Sequence, residues 1–171
     1  MYNLRGVRLL IANETTMPNW CGNTLIVRGQ KPEIARFVRE NKAGDLNLSF
    51  NAMVPMPVEL ERTQSPNNAP EEQKQALRAA FGSDNWYDWH IAAWGTKWDI
   101  GSAERTIKGP RVTYSFETAW GPPTEWLDRI RHFYPQLSFE LSYEEPGMGF
   151  AGCITASVDG FTDETWDYVE D

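Results

Sequence analysis

The chain has 171 residues, close to one ordinary domain length of roughly 150, with 41% apolar and 23% charged residues. These values argue against two full domains and exclude a wholly disordered chain, a collagen-like repeat and a membrane protein, because no apolar run approaches the ~20 residues a span requires. The formal net charge of −8 is unevenly spread: residues 1–131 hold all 16 Lys and Arg beside 15 acids, whereas residues 132–171 hold nine acids and no Lys or Arg. Such a C-terminal fifth repels phosphate backbones and attracts basic surfaces.

The start, Arg5-Gly-Val-Arg-Leu-Leu-Ile-Ala12, imitates a signal peptide, but its apolar run of about five residues is shorter than the roughly 7–15 of a true one. The first expected element is a strand at 24–28, apolar and partly β-branched, closed by Gly29. A helix follows over 31–41, with Pro32 in its first turn and Ile34, Phe37 and Val38 at helical spacing. Leu46, Leu48 and Phe50 alternate with Asn47, Ser49 and Asn51, which predicts a second strand over 46–51. Pro55 and Pro57 then force an extended exit.

Residues 70–81 read as a helix ended by Gly82, and 85–94 as a second, with Asp84 as its N-cap and Gly95 as its stop. A weak strand near 103–108, a Gly109-Pro110 turn and a strong strand over 112–118 make a hairpin. The Pro122-Pro123 break opens a helix over 123–133, striped by Trp126, Leu127, Ile130 and Phe133. Strands over about 137–144 and 150–158 follow, and 160–171 read as an acidic tail without a pattern.

With an insertion at about 55–108 set aside, the order is strand, helix, strand, strand, helix, strand and one further hairpin strand. This is the split βαβ plan of an α+β ferredoxin-like sandwich: an antiparallel sheet, both helices on one face, and here a Trp-rich helical insertion. Parity then gives the other face Asn47, Ser49, Asn51, Thr113, Ser115, Glu117, Glu140, Ser142, Glu144, Thr155 and Ser157. A polar, acidic surface without rings argues against RNA recognition through the sheet. The inserted aromatic helix is a candidate to cover part of it.

The densest cluster of chemistry is Trp86, Trp89, His90, Trp94, Lys97, Trp98, Asp99, Glu117 and Trp120. It offers a base, carboxylates, a cation and stacking rings, the ingredients of a nucleotide or small-molecule pocket. Its spacing is equally that of an aromatic core, since His90 lies four residues from both Trp86 and Trp94. Lys97 and Asp99 are expected to pair near a turn. Two histidines and the separated cysteines Cys21 and Cys153 give no metal motif, and there is no GxSxG, phosphate loop or CxxC. No catalytic residue, metal or cofactor is therefore assigned, and two cysteines outside any motif suit the reducing cytoplasm.

Six segments carry a resemblance in order: Met17-Pro-Asn-Trp-Cys-Gly-Asn-Thr-Leu25, Leu48-Ser-Phe-Asn51 with Pro55-Met-Pro57, Trp86-Tyr-Asp-Trp89, Trp94-Gly-Thr-Lys-Trp-Asp99, Phe116-Glu-Thr-Ala-Trp-Gly-Pro-Pro123 and Phe150-Ala-Gly152. Over about 17–160 the chain resembles the YubB-type proteins of bacterial plasmids, pathogenicity islands and phages. The resemblance implies a ferredoxin-like domain in a cytoplasmic protein from a mobile element, and it brings no established activity. Such proteins often begin at the position of Met17, so residues 1–16 are expected to be a poorly ordered extension. Gly121 stands where a serine is common.

The leading functional expectation is a non-enzymatic binding or regulatory module that contacts a host or element-encoded protein. The first alternative is a nucleotide or small-molecule binding domain, or an enzyme, built on the Trp-rich cluster. The second is nucleic-acid binding through Arg36, Arg39 and Lys42, which the acidity of the chain disfavours.

Overall fold

The computed structural model describes residues 18–169, so the expectations for residues 1–16 and a start at Met17 lie outside the described residues. Six strands form one antiparallel sheet: β1 (Trp20–Arg28), β2 (Ala103–Lys108), β3 (Arg111–Ala119), β4 (Ser138–Glu145), β5 (Phe150–Ser157) and β6 (Gly160–Asp167). Their order across the sheet is β2-β3-β1-β4-β5-β6. The first four positions, with α1 (Lys31–Glu40) after β1 and α5 (Thr124–Phe133) after β3, are the ferredoxin-like arrangement. The fold class is thus the expected α+β sandwich, extended by the β5–β6 hairpin.

The expected strand over 46–51 is replaced by β2, and the true insertion lies between α1 and β2. Leu48 and Phe50 are both buried, which explains their alternation, but Phe50 opens a four-residue helix, α2 (Phe50–Met53). A carboxylate distant in sequence sets this geometry: Asp99 accepts hydrogen bonds from Ser49 Oγ at 2.6 Å and from the Phe50 backbone N–H at 2.6 Å. Asn47, Ser49 and Asn51 therefore leave the polar sheet face to which parity had assigned them.

The rest of the insertion holds α3 (Glu71–Phe81), which buries no residue, and α4 (Trp86–Trp94). The N-cap of α4 is Asn85 rather than Asp84, because the Asn85 side chain accepts from the Asp88 backbone N–H at 3.0 Å. Asp84 instead pairs with Arg78 and accepts from Asn85, and these partners hold its carboxyl below the usual range. Gly82 and Gly95 end α3 and α4 at φ +78° and +83°, in the left-handed region that favours glycine.

The expected acidic tail is also corrected: residues 160–167 form β6, paired throughout with β5. Apart from Phe161, which packs against the core, its hold is polar. Thr155 and Thr162 share a hydroxyl hydrogen bond of 2.6 Å, and Tyr143 reaches across β5 to Asp163 Oδ1 at 2.7 Å and Thr165 Oγ1 at 2.8 Å. Gly152 makes that reach possible, since a Cβ there would collide with the Tyr143 ring.

The core lies between the sheet and its helices and has two aromatic centres. Phe37 of α1 meets Tyr134, Phe139 and Tyr114 with ring centroids 5.1–6.1 Å apart. Phe50 of α2 meets Trp126, Trp94 and Phe116 at 5.0, 5.9 and 6.1 Å. Each fully buried ring contributes about 1.5–3 kcal/mol or more through removal of apolar surface from water. The insertion joins this side: α4 packs against α5, and Trp94 Nε1 donates to Val54 O at 2.9 Å. It does not cover the opposite sheet face.

Candidate functional site

The nine residues of the sequence cluster do not converge on one cavity. Trp94 is buried, and His90 stacks on it with ring centroids 4.0 Å apart. His90 Nδ1 lies 2.7 Å from Lys97 O, its Nε2 is buried without a partner, and burial pushes the imidazole pKa down, which favours the neutral ring. Trp86 and Trp89 pack edge-on against His90 and are half-buried. These four residues extend the core.

Lys97 and Asp99 do not pair. Asp99 Oδ1 also accepts the Ile100 backbone N–H at 2.7 Å, so its carboxylate is occupied in closing the insertion onto α2. Lys97 Nζ sits 4.4 Å from the centre of the Trp98 ring, a cation–π contact. Trp98, Trp120 and Glu117 remain at the surface near the end of β3, and there the structure adds residues that the cluster lacked.

Alternate residues of the strands face away from the helices. Gly22 lies between Glu117 and Glu144, Thr24 between Ser115 and Ser142, and Ser115 lies beside Glu104. Further across, Ala151 pairs with Trp166. Among the described residues no helix covers this face, and a groove of about 1030 Å³ runs over it. Its floor is made of small residues, Gly22, Thr24, Ser115 and Ser142. Glu104, Glu117 and Glu144 supply carboxylates, no Lys or Arg lines it, and Trp166 and Tyr168 form a wall.

One end of this face is ringed by exposed tryptophans. Trp20, at the start of β1 and 47% exposed, meets Trp98, 38% exposed, with centroids 6.2 Å apart. Trp120, 40% exposed, follows Ala119, the pairing partner of Trp20. Its φ of +74° places a bulky residue in the left-handed region, a cost of roughly 1–3 kcal/mol that its neighbours must offset. The turn is held by the Trp120 N–H donating to Asn19 O at 2.9 Å and by Thr118 Oγ1 donating to Gly121 O at 2.7 Å. Trp166 at the other margin is 52% exposed.

Parity had identified the polar, acidic character of this face, including Glu117, Ser142 and Glu144. It missed Trp166 and Tyr168, because β6 carries no apolar alternation, and it missed Gly22, whose contribution is the absence of a side chain. Cys153 lies on the same face, and Cys21 is buried on the other, with its thiol pushed up to about 12 mainly by burial; both are free. Among the described residues no three His, Cys, Asp or Glu side chains are grouped to hold a metal ion. No described helix is long and apolar enough to cross a membrane.

No curated protein matches the sequence. The fold is similar to the crystal structure of a protein api92 from Yersinia pseudotuberculosis, with a TM-score of 0.55 and 9% identity, over 90% of this chain and 99% of that one. At such identity the likeness concerns the fold alone. The family model described as the ferredoxin-like domain in Api92-like protein matches residues 93–170, a span that holds β2–β6 and α5 but not the central strand β1. The C-terminal part of the chain is therefore similar to the ferredoxin-like domain of Api92-like proteins.

Proposed function

We propose that the chain is a non-enzymatic binding module that acts through protein contacts and takes a basic segment of its partner into the groove on the open sheet face. The observation that carries this reading is the groove lining: three carboxylates, no cation, small residues on the floor and an aromatic wall. Carboxylates attract Lys and Arg over the Debye length, and ring faces hold the same cations at contact, so both features select one chemistry. Exposed Trp and Tyr side chains beside a groove are also the residue types that dominate binding energies at protein interfaces. The same field repels nucleic-acid phosphates. In line with the YubB resemblance, we infer that the partner is a host or element-encoded protein met in the bacterial cytoplasm.

The test is fluorescence anisotropy with a labelled peptide rich in Lys and Arg, titrated with the wild type and with the Glu117→Gln/Glu144→Gln double variant. The reading expects binding that weakens as salt rises and is roughly tenfold weaker in the double variant. Equal affinity of the two proteins for the peptide would overturn it.

A further inference from the structure

A second groove, of about 800 Å³, lies on the helix side, where α1 leaves the edge strand β2 bare. Helix α1 rests on β3, and β2 pairs with β3 alone among the described strands; on its helix side Ala103 packs against the core, while the far end of β2 lies beyond that packing. Ile107 is consequently 52% exposed although it points the same way as buried Val112, its pairing partner. Ile34 and Val38 of α1 and Leu46 of the following loop complete an aliphatic floor.

The rim is basic: Lys31, Arg39 and Lys42 come from α1 and its end, Arg105 comes from β2, and Asp45 is the single acid in the lining. Lys31, Lys42 and Arg105 make no ion pair among the described residues, while Arg39 touches only Glu40, at 3.5 Å. Beside Arg105, its pairing partner Tyr114 is fully buried, and burial pushes its hydroxyl up to about 12 while the nearby Arg105 guanidinium acts in the opposite direction. Three unpaired cations around exposed aliphatic carbon form an incomplete surface: each half of it is satisfied by a ligand that carries carboxylates and apolar side chains together.

We propose that this groove binds an acidic, aliphatic-rich peptide segment of a partner protein, with carboxylates on Lys31, Lys42 and Arg105 and apolar side chains between Val38 and Ile107. Charge complementarity fixes the sign of the partner, and β2 is an edge strand among the described residues: Asn47 Nδ2 donates to Ala103 O at 2.8 Å, and no described strand pairs with the outer backbone groups further along, which suits the mode by which extended peptides add to sheet edges. A nucleic acid is a poorer match. Its phosphates would meet the cations, but the lining offers no aromatic ring for base stacking, and an aliphatic floor contributes nothing to phosphate binding.

The experiment measures anisotropy of a fluorescein-labelled peptide of alternating Glu and Leu, beside a Lys and Leu peptide and a single-stranded oligonucleotide, with amide chemical-shift mapping of the Glu and Leu complex. Expected are binding of the Glu and Leu peptide, shifts centred on residues 31–47 and 105–109, and roughly tenfold weaker binding both in Lys42→Glu/Arg105→Glu and in Ile107→Asp. All three substituted side chains are exposed, and unchanged melting curves show that the variants are folded; Ile107→Ser replaces Ile107→Asp if its curve shifts. Absence of binding, shifts elsewhere, or binding indifferent to residue 107 would overturn the proposal. Oligonucleotide binding that depends on Lys42 and Arg105 but not on Ile107 would also overturn it, in favour of a phosphate site.

Discussion

On the helix side of the sheet, Leu25, Tyr114, Leu141 and Ile154 are fully or almost fully buried, while their neighbours in the same strands, Thr24, Ser115, Ser142 and Cys153, face the groove or its margin. The two faces share every backbone hydrogen bond and differ only in alternate side chains. The helix side is closed by rings that satisfy one another, from Phe37 with Tyr134 to Phe50 with Trp126. The open side has its rings at the margins and its carboxylates between them. Substitutions among the buried residues of the first face should therefore be read in stability, and substitutions on the second in binding.

The largest expected effect is on the closed face. Trp126→Ala empties the site of a fully buried ring and should cost about 3–5 kcal/mol in urea denaturation, with affinity for the basic peptide unchanged in the folded fraction. A cost near zero would mean that the Phe50 centre is not the core. Next, Asp99→Ala leaves Ser49 Oγ and the N–H groups of Phe50 and Ile100 without their acceptor, and should cost about 1–3 kcal/mol while leaving peptide affinity intact. Lost affinity with unchanged stability would return Asp99 to the functional site.

His90 sharpens the contrast through pH. Burial lowers its folded-state pKa, so around the unfolded value of 6.5 the unfolded chain binds more protons than the folded one. Its contribution is fully present above that value and is lost as pH falls through the depressed folded pKa. Melting temperatures of the wild type should thus fall just below pH 6.5 more steeply than those of His90→Phe; parallel profiles would show that the ring stays solvated. The smallest stability effect is expected at Trp120. Glycine accepts the φ of +74° without strain, so Trp120→Gly should melt at the same temperature or slightly higher while binding the basic peptide more weakly. A clear fall in melting temperature would make Trp120 a packing residue.

Much of this division was legible in the chain. Period-two patterns at Val112, Tyr114 and Phe116 and at Leu137, Phe139 and Leu141, with helical stripes at Ile34 and Phe37 and at Trp126, Leu127 and Ile130, carry the ferredoxin-like order and the polarity of the open face. Leu48 and Phe50 misled because burial from a loop and a helix start can also alternate, and the deciding contact comes from Asp99, about 50 residues away. Strand β6 was hidden because an exposed edge held by Thr162, Asp163 and Thr165 leaves no hydrophobic period. The groove inherited that blindness: its wall belongs to β6 and the residues after it, and part of its floor is a glycine.

The measurement that bears most directly on the open face as a binding surface is amide chemical-shift mapping of the full chain with the Lys- and Arg-rich peptide. The account predicts shifts concentrated at Gly22, Thr24, Ser115, Glu117, Ser142, Glu144 and Trp166, with α1, α4 and α5 silent. Shifts confined to the insertion or to the helix side, or none at saturating peptide, would contradict it.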